Sequence, residues 1–316
     1  MLTTTVVIPS FDRPDYLTRA IRSIYGQTYR PNELIVILRE SDRASYDAAS
    51  HQFSLAIGIS VRIESVSEPG FLPPIYKAIE SAHTDILAFM DDDAEAHPDW
   101  LEKLILYYAD PSVAGVGGRC INYFGGKKAQ YPPADDVGRI TWSGKPIGNM
   151  YRDTTFEGPR EVCFIIGGNM SYRLKALRQS QPDPKLKNDV SFHWEIDVGM
   201  QVKKLGYRIL FDPAIKVDHY SAPRQVAGLR FVNSSGIFWS NYNYAYLMRK
   251  HRSSSGLKIF LVYSILIGWS DSPGLLLLTL RLLQLRPISL SKTVWPSIRG
   301  RWKGLREPLL VKQPYA

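Results

Sequence analysis

The chain has 316 residues, of which 45% are hydrophobic, and it carries a formal net charge of +9 with only two cysteines. This length allows about two domains with a sizeable apolar core, which excludes an intrinsically disordered chain. Two cysteines are too few for a disulfide framework, so we expect a reduced, cytosolic protein. Because residues 1–3 lead directly into a strand pattern, we also expect no signal peptide.

The N-terminal part of the chain alternates predicted strands with predicted helices. Apolar, β-branched runs predict strands at residues 4–8, 34–38 and 86–90, and a shorter alternating pattern predicts one at residues 61–66. Apolar residues at helical spacing predict helices at residues 15–27 and 74–83. This alternation is typical of βαβ units and a mostly parallel sheet, so the predicted class is α/β.

Beyond the fourth strand the predicted elements are more widely spaced. A helix is expected to begin near Pro98. A second helix carries apolar residues from Val198 to Leu205 and ends at Gly206, a natural C-cap. A short strand follows at residues 215–217.

The fourth predicted strand ends abruptly in Asp91, Asp92 and Asp93. The carboxyl ends of the strands form the edge at which open α/β sheets bind ligands. Three adjacent carboxylates repel one another, and a bound divalent cation relieves that repulsion and can hold a diphosphate. The alternative interpretation is a solvated acidic turn that caps the next helix.

Several motifs, in this order and spacing, resemble those of glycosyltransferase family 2. They are residues 7–13, 23–27, 89–93, 167–173, 195–197 and 204–209. The resemblance covers about residues 3–220 and implies the GT-A fold, a Rossmann-like, mostly parallel sheet flanked by helices. It also implies an inverting, hexosyltransferase-type enzyme that uses a nucleoside diphosphate sugar and Mn²⁺ or Mg²⁺.

Glycosyl transfer from a nucleoside diphosphate requires that the charge on the departing diphosphate be stabilised, for example by a metal ion. The resemblance implies that Asp93 binds this metal, with Asp91 near the ribose or the metal. It also implies that His219, which follows the strand at residues 215–217, completes the metal site. Asp92 points the other way on an extended chain, so we expect a structural role for it although it belongs to the donor-binding motif.

The resemblance also implies a set of donor-binding residues at the ends of the first strands. These residues are Pro9, Ser10, Asp12, Arg13, Asp91 and Asp92. Relatives carry an acid after the second strand that reads the nucleotide base, and here only Glu40 or Asp42 could serve. Lys77 is the cation nearest to the helix position that faces the diphosphate in relatives, although a solvated surface charge is the alternative.

The acceptor hydroxyl is a poor nucleophile and needs a general base. Aligning the second helix with its counterpart in the family places Glu195 at the base position, which is usually an Asp, and Asp197 at a common second acid. Simple helix capping is the alternative for one of the two. We expect Trp194 to stack on a sugar face, and the resemblance places Gly168 and Asn169 at the acceptor site.

The C-terminal part of the chain differs in charge and hydropathy. From residue 224 onward, fourteen Lys or Arg and two acids give a net +12, against −3 for the preceding residues. Nucleic acid would explain such charge, but two apolar runs at residues 259–269 and 275–285 favour a membrane surface instead. Each run is too short to cross about 30 Å of hydrocarbon. The basic margins and the tryptophans predict peripheral or monotopic attachment to the anionic cytoplasmic face, and an ordinary packed helical domain is the alternative.

These patterns predict a GT-A catalytic domain over residues 1–223, with its donor half at about 1–95 and its acceptor half at about 96–223. A basic, helical, membrane-associating region follows over residues 224–316. The predicted function is metal-dependent, inverting transfer of a sugar to a glycan or lipid-linked acceptor in polysaccharide biosynthesis, without a nucleic-acid partner.

Two other functions are compatible with parts of the sequence. A nucleotidyltransferase that forms sugar nucleotides would need a Gly-rich, basic loop after the first strand, and residues 10–13 are not such a loop. A non-catalytic, membrane-bound glycan-binding scaffold is disfavoured because the candidate metal ligands and the candidate base are retained together.

Overall fold

The computed structural model describes residues 2–186, 193–222, 233–269, 272–283 and 290–310. The chain folds as two compact units. The sheet unit comprises Met1–Arg139, Ile147–Pro182 and Val198–Pro223, and the helical unit comprises Ile140–Pro146, Asp183–Asp197 and Arg224–Ala316. The predicted domain boundary after residue 223 falls in a stretch, 223–232, outside the described residues. Two segments predicted to belong to the catalytic domain, 140–146 and 183–197, belong to the helical unit instead.

The strands of the described residues are β1 (Thr4–Ser10), β2 (Glu33–Arg39), β3 (Ser60–Val66), β4 (Ile86–Phe89), β5 (Ala94–Ala96), β6 (Val113–Phe124), β7 (Lys127–Lys128), β8 (Arg139–Ile140), β9 (Pro146–Ile147), β10 (Arg160–Glu161), β11 (Met170–Arg173) and β12 (Arg208–His219). The helices are α1 (Pro14–Tyr25), α2 (Arg43–Phe53), α3 (Leu72–Ser81), α4 (Trp100–Leu106), α5 (Leu174–Gln179), α6 (Trp194–Lys204), α7 (Ser234–His251), α8 (Ser254–Leu266), α9 (Leu275–Leu283) and α10 (Trp295–Arg306). A 3₁₀ turn (Tyr107–Ala109) follows α4, and a π turn (Leu290–Val294) precedes α10.

Ten strands of the described residues form one sheet. Its order is β10-β12-β6-β11-β4-β1-β2-β3, with β5 paired to β12 and β7 paired to β6. The strands β3, β2, β1 and β4 are parallel to one another, and β6 is parallel to β12. Between these two parallel groups, β11 lies antiparallel to both β4 and β6. The parallel sheet predicted from the first four strands is therefore confirmed, and the second half adds antiparallel pairs to it.

The core of the sheet unit lies between the sheet and the helices that cover it. The strand residues Val6, Ile8, Leu34 and Val36 are 0% exposed, as are Leu17, Ile21 and Ile24 of α1. The helix residues are spaced four and three apart, so they lie on one face of α1 and contact the sheet along it. This packing places the carboxyl ends of β1, β2 and β4 at one edge.

The helical unit is built around α7, most of whose side chains are buried. Helix α10 approaches α7 through Gly300 and Gly304, where a Cβ would collide with the carbonyl oxygens of Phe238 and Tyr242. Only glycine fits at these two positions, so the helices pack with their backbones in contact. No helix among the described residues is both long and apolar enough to cross a bilayer. Asp271, which lies between the two apolar runs in the sequence, and the last two residues of the second run lie outside the described residues.

Candidate active site

The acidic triplet follows β4 at the predicted edge of the sheet. Strand β4 pairs with β1 on one side and with β11 on the other, so both of its edges are hydrogen-bonded. The amide of Met90, which is 0% exposed, donates to the carbonyl of Val7 at 3.1 Å and extends the ladder to the residue before the triplet. The chain therefore delivers Asp91 to the carboxyl edge in a fixed position.

The strand β5 brings His219 to the triplet. It pairs antiparallel with the end of β12, and His219 lies opposite Ala94, the residue after Asp93. As a result, the His219 Nε2 atom lies 3.1 Å from Asp93 Oδ1 and 3.5 Å from Asp91 Oδ2. The backbone amide of Ala222 also donates to Asp93 Oδ2 at 2.9 Å, so the Asp93 carboxylate is held from two sides.

The three side chains form a group that suits a divalent cation. One ligand atom from each of Asp91, Asp93 and His219 lies within 4.8 Å of the others. Burial opposes ionisation of Asp93, but hydrogen bonding to His219 outweighs it and lowers the Asp93 pKa. Burial likewise opposes the charge on His219, but its contacts with Asp91 and Asp93 raise the His219 pKa. A positive charge is thus favoured between the two carboxylates, and two oxygens with one imidazole nitrogen are a ligand set suited to Mn²⁺.

The middle acid of the triplet points away from this group. Asp92 accepts hydrogen bonds from the Ser10 hydroxyl at 2.7 Å and from Arg13 Nη1 at 2.9 Å. Burial raises the Asp92 pKa to about 6, although the nearby guanidinium opposes the shift. The side chains of Ser10 and Asp92 are thus engaged with each other rather than open to a donor. Arg13 also lies 3.4 Å from Asp93 Oδ2, so it links the middle acid to the candidate metal site.

Gly168 and Asn169, the two residues expected at the acceptor site, have different environments. Gly168 has a φ of +84°, and a Cβ there would lie 2.8 Å from Asp91 Oδ2. Asn169 is 0% exposed, and its amide donates to the carbonyls of Arg119 and Ile215 and accepts from the Trp100 indole. The structure therefore does not place the Asn169 side chain at a substrate surface, because its hydrogen bonds join neighbouring elements instead.

Replacing Gly168 by Ala is expected to weaken metal-dependent nucleotide binding by about tenfold, because the new methyl group displaces the Asp91 carboxylate. The matched control is Gly158→Ala, where φ is +73° and no atom lies within 4 Å of the added Cβ. Both variants should lose about 1–2 kcal/mol of stability from the left-handed backbone. Titration calorimetry with Mn²⁺ and a nucleoside diphosphate should separate them, and equal affinities would contradict a role for this contact.

The residues expected to read the nucleotide occupy different environments. The buried Asp42 carboxylate caps α2 by accepting from the Ser45 amide at 3.1 Å, and it also accepts from the Asp12 amide at 2.5 Å. Asp42 therefore holds the loop after β1 in place. Glu40 is exposed at the end of β2 and is the acid that remains open to a base.

Three donor-binding candidates remain: Pro9 and Asp12 belong to β1 and the loop after it, and Lys77 belongs to α3. Pro9 is partly buried within β1, and Asp12 is exposed with a φ of +55°. The Lys77 ammonium lies 3.3 Å from Glu64 Oε2 on β3, in a partly exposed ion pair. The structure thus places Lys77 beside an acid of β3, and its contact with the diphosphate stays a prediction.

The candidate base lies at the start of α6. Trp194, Glu195 and Asp197 all belong to the first turn of this helix, which begins earlier than the sequence predicted. Glu195 is partly buried. Trp194 is only 2% exposed, so the structure does not present its ring to a sugar as we expected.

Asp197 belongs to a buried charged group, the Asp197 cluster, which consists of Asp183, Asp197, Tyr246, Lys250 and His251. Asp197 is 0% exposed, and its Oδ1 atom lies 2.6 Å from His251 Nε2 and 2.9 Å from Lys250 Nζ. The Lys250 ammonium also lies 2.8 Å from Asp183 Oδ2, which in turn accepts from the Tyr246 hydroxyl. Burial opposes ionisation of Asp197, but hydrogen bonding to His251 and the charge of Lys250 lower its pKa.

No sequence pattern pointed to Asp183, Lys250 or His251. The two basic residues end α7, where cations are expected simply from the helix dipole. No local pattern links them to Asp197, which lies 53 residues before Lys250 and 54 before His251.

Replacing Lys250 by Met should lower the free energy of unfolding by about 3–5 kcal/mol, because it leaves two buried carboxylates without their shared cation. The side chains of Asp183 and Asp197 are 3% and 0% exposed. The matched control is Lys103→Met, which removes a surface pair with Asp99 that should contribute less than about 1 kcal/mol. Urea denaturation of both variants measures the difference, and similar losses would contradict the assignment of a structural role to Lys250.

The chain is similar to known proteins in both sequence and fold. A family model described as Glycosyl transferase family 2 matches residues 5–180. The glucosyl-dolichyl phosphate glucuronosyltransferase of Haloferax volcanii is 23% identical over 217 residues, which are 66% of this chain and 66% of that protein. The chain thus spans slightly less than two thirds of the length of this relative.

Two solved structures have a similar fold. The structure of GalNAc-T7 with UDP, GalNAc and Mn²⁺ has a TM-score of 0.61 at 16% identity, over 83% of this chain and 54% of that one. The mannosyltransferase PcManGT from Pyrobaculum calidifontis, in complex with GDP-Man and Mn²⁺, has a TM-score of 0.56 at 17% identity. It covers 83% of this chain and 68% of its own. At these identities the likeness shows the fold.

Proposed function

The chain belongs to glycosyl transferase family 2, and from this premise we propose that it transfers a sugar from a nucleoside diphosphate sugar to an acceptor hydroxyl with inversion. In this reaction the acceptor oxygen bonds to the anomeric carbon while the bond from that carbon to the diphosphate breaks. The nucleoside diphosphate departs with the electron pair, and the acceptor proton passes to a base on the opposite face.

The observation that carries this proposal is the group formed by Asp91, Asp93 and His219 at the carboxyl edge of the sheet. These residues would hold Mn²⁺ or Mg²⁺, and the ion would neutralise the charge on the departing diphosphate. The Mn²⁺ and nucleotides bound in GalNAc-T7 and PcManGT support this assignment. Arg13 adds a fixed positive charge beside the same carboxylates.

For the general base we propose Glu195, which the resemblance aligns with the catalytic base of the family. Asp197, the second candidate, uses both carboxylate oxygens inside the Asp197 cluster, since Oδ1 contacts His251 and Oδ2 accepts from the Asp183 amide at 2.8 Å. We therefore assign Asp197 to holding the first turn of α6, two residues after the base.

We propose a lipid-linked glycan intermediate as the acceptor, in the assembly of a polysaccharide. The Haloferax volcanii relative supports this choice, because its name describes transfer to a glucosyl-dolichyl phosphate. The exposed Glu40 at the end of β2 is the residue we assign to the nucleotide base.

The proposal can be tested by incubating the full chain with a panel of sugar nucleotides and measuring the release of nucleoside diphosphate. We expect slow hydrolysis of one donor, dependent on Mn²⁺ and abolished by a chelator, and faster release when a lipid-linked acceptor is added. Asp99→Ala, which removes an exposed acid outside the metal group, should retain this activity. Consumption of a nucleoside triphosphate with a sugar phosphate would instead support a nucleotidyltransferase, and no turnover of any donor would favour a binding scaffold.

A further inference from the structure

Helix α8 exposes an aliphatic stripe. Its buried side carries Phe260 and Ser264. The opposite side carries large apolar side chains that are 40–57% exposed, namely Ile259, Val262, Ile265, Leu266 and, just after the helix, Ile267. The stripe follows a spacing of three and four residues, so these side chains lie on one face rather than being scattered. A contiguous exposed apolar face of this kind is typical of an interaction surface.

Helix α9 also exposes aliphatic side chains. Leu275, Leu276, Leu280 and Leu283 are 45–75% exposed, and they also repeat at helical spacing. Neither α8 nor α9 contains an acidic residue. Since no described helix could cross a bilayer, the two helices expose apolar surface without being long enough to span.

Helix α10 exposes alternating aromatic and basic side chains. Because its glycine face packs against α7, the opposite face presents Trp295 and Trp302, each 59% exposed, and Ile298. The exposed cations Arg299, Lys303 and Arg306 lie among them, and the Arg306 guanidinium lies 3.9 Å from the centre of the Trp302 ring. Helix α10 is joined to α8 through Arg301, which donates to the Ser264 carbonyl at 2.6 Å.

We infer that the outward faces of α8, α9 and α10 form a docking surface for an anionic lipid bilayer. Aliphatic side chains on α8 and α9 enter the acyl boundary, and tryptophans on α10 lie at the headgroup level. The cations on α10 complement anionic headgroups, and the net charge of +12 from residue 224 onward has the matching sign. The surface therefore combines the three properties of an interfacial site: exposed aliphatics, interfacial aromatics and positive charge.

The test is flotation of the full chain with phosphatidylcholine vesicles, prepared with and without phosphatidylglycerol, at low and high salt. We expect co-flotation with the anionic vesicles, partly reduced by salt because the apolar contacts persist. The double variant Val262→Glu/Leu280→Glu should bind at least about tenfold more weakly. Its matched control is Leu55→Glu/Ile57→Glu, which changes two side chains of the sheet unit that are 56% and 79% exposed and should bind as the wild type does.

Three outcomes would overturn the inference. The first is equal flotation of the Val262→Glu/Leu280→Glu variant and the wild type, with melting temperatures confirming that both are folded. The second is a stable dimer by light scattering together with no flotation, which would assign the surface to a second copy of the chain. The third is a fragment over residues 257–285 that survives protease added outside the vesicles, which would indicate a spanning segment. Each readout is independent of catalysis.

Discussion

Replacing Glu195 by Gln is expected to lower kcat by about 10²–10⁴-fold, the usual contribution of a general base. The amide has the size of the carboxylate but does not accept the acceptor proton at neutral pH. Donor binding should be unchanged, because the candidate metal ligands are Asp91, Asp93 and His219. Steady-state kinetics with a saturating donor, together with calorimetric donor affinity, measures both quantities.

The control for this prediction is Glu157→Gln, which makes the same change at an exposed position. It should leave both kcat and donor affinity as in the wild type. The opposing variant is Asp197→Asn, which should chiefly lower stability because Asp197 is 0% exposed and paired with Lys250. If folded Asp197→Asn protein were inactive while Glu195→Gln remained active, the two acids would have to exchange their assigned roles.

Replacing Asp93 by Ala is expected to remove Mn²⁺-dependent nucleotide binding. The substitution takes away the carboxylate that contacts His219 at 3.1 Å, so that Asp91 and His219 remain of the three candidate ligands. A bound metal contributes several kcal/mol to stabilising the diphosphate, so the activity should fall by on the order of 10³-fold. Calorimetric titration of nucleoside diphosphate, with and without Mn²⁺, gives the metal-dependent part directly.

Asp99→Ala serves as the matched control for Asp93→Ala, because Asp99 forms an exposed pair with Lys103. It should preserve the difference between titrations with and without Mn²⁺. An Asp93→Ala protein with wild-type, Mn²⁺-dependent affinity would contradict the metal assignment.

The first half of the fold could be predicted because the sequence patterns that indicate its strands and helices are local. Strands β1, β2 and β4 consist mainly of apolar or β-branched residues, and β3 alternates apolar with polar residues. Each predicted strand lies within two residues of the observed bounds. The helix predicted from residue 74 begins at Leu72, since prolines are tolerated in the first turn of a helix. The family resemblance is confirmed, because several ordered motifs carried it rather than one.

The elements that complete the candidate site could not be predicted in the same way. Strand β5 has only three residues, and its pairing with β12 joins segments more than a hundred residues apart. The local periodicity of the sequence carries no information on such pairing. The strand predicted at residues 215–217 is therefore shorter than the observed β12, which spans Arg208–His219. A sequence motif predicts where the backbone lies, but it does not show whether a side chain is exposed. Asn169 and Trp194 were therefore expected at a substrate surface, whereas both are buried.

The pairing of β5 with β12 has a consequence for metal choice. Neighbouring residues on a strand face opposite sides, and on β12 the residue before His219 is Asp218, which lies opposite Glu95 and 3.4 Å from His97. If the register between β5 and β12 were shifted by one residue, Asp218 would take the place of His219. The site would then offer three carboxylates, an all-oxygen ligand set suited to Mg²⁺ or Ca²⁺. The observed register supplies a nitrogen donor instead, and we expect it to rank transition-metal ions above Mg²⁺. In the proposed metal site, we therefore expect the alignment of these two strands to influence which ion binds.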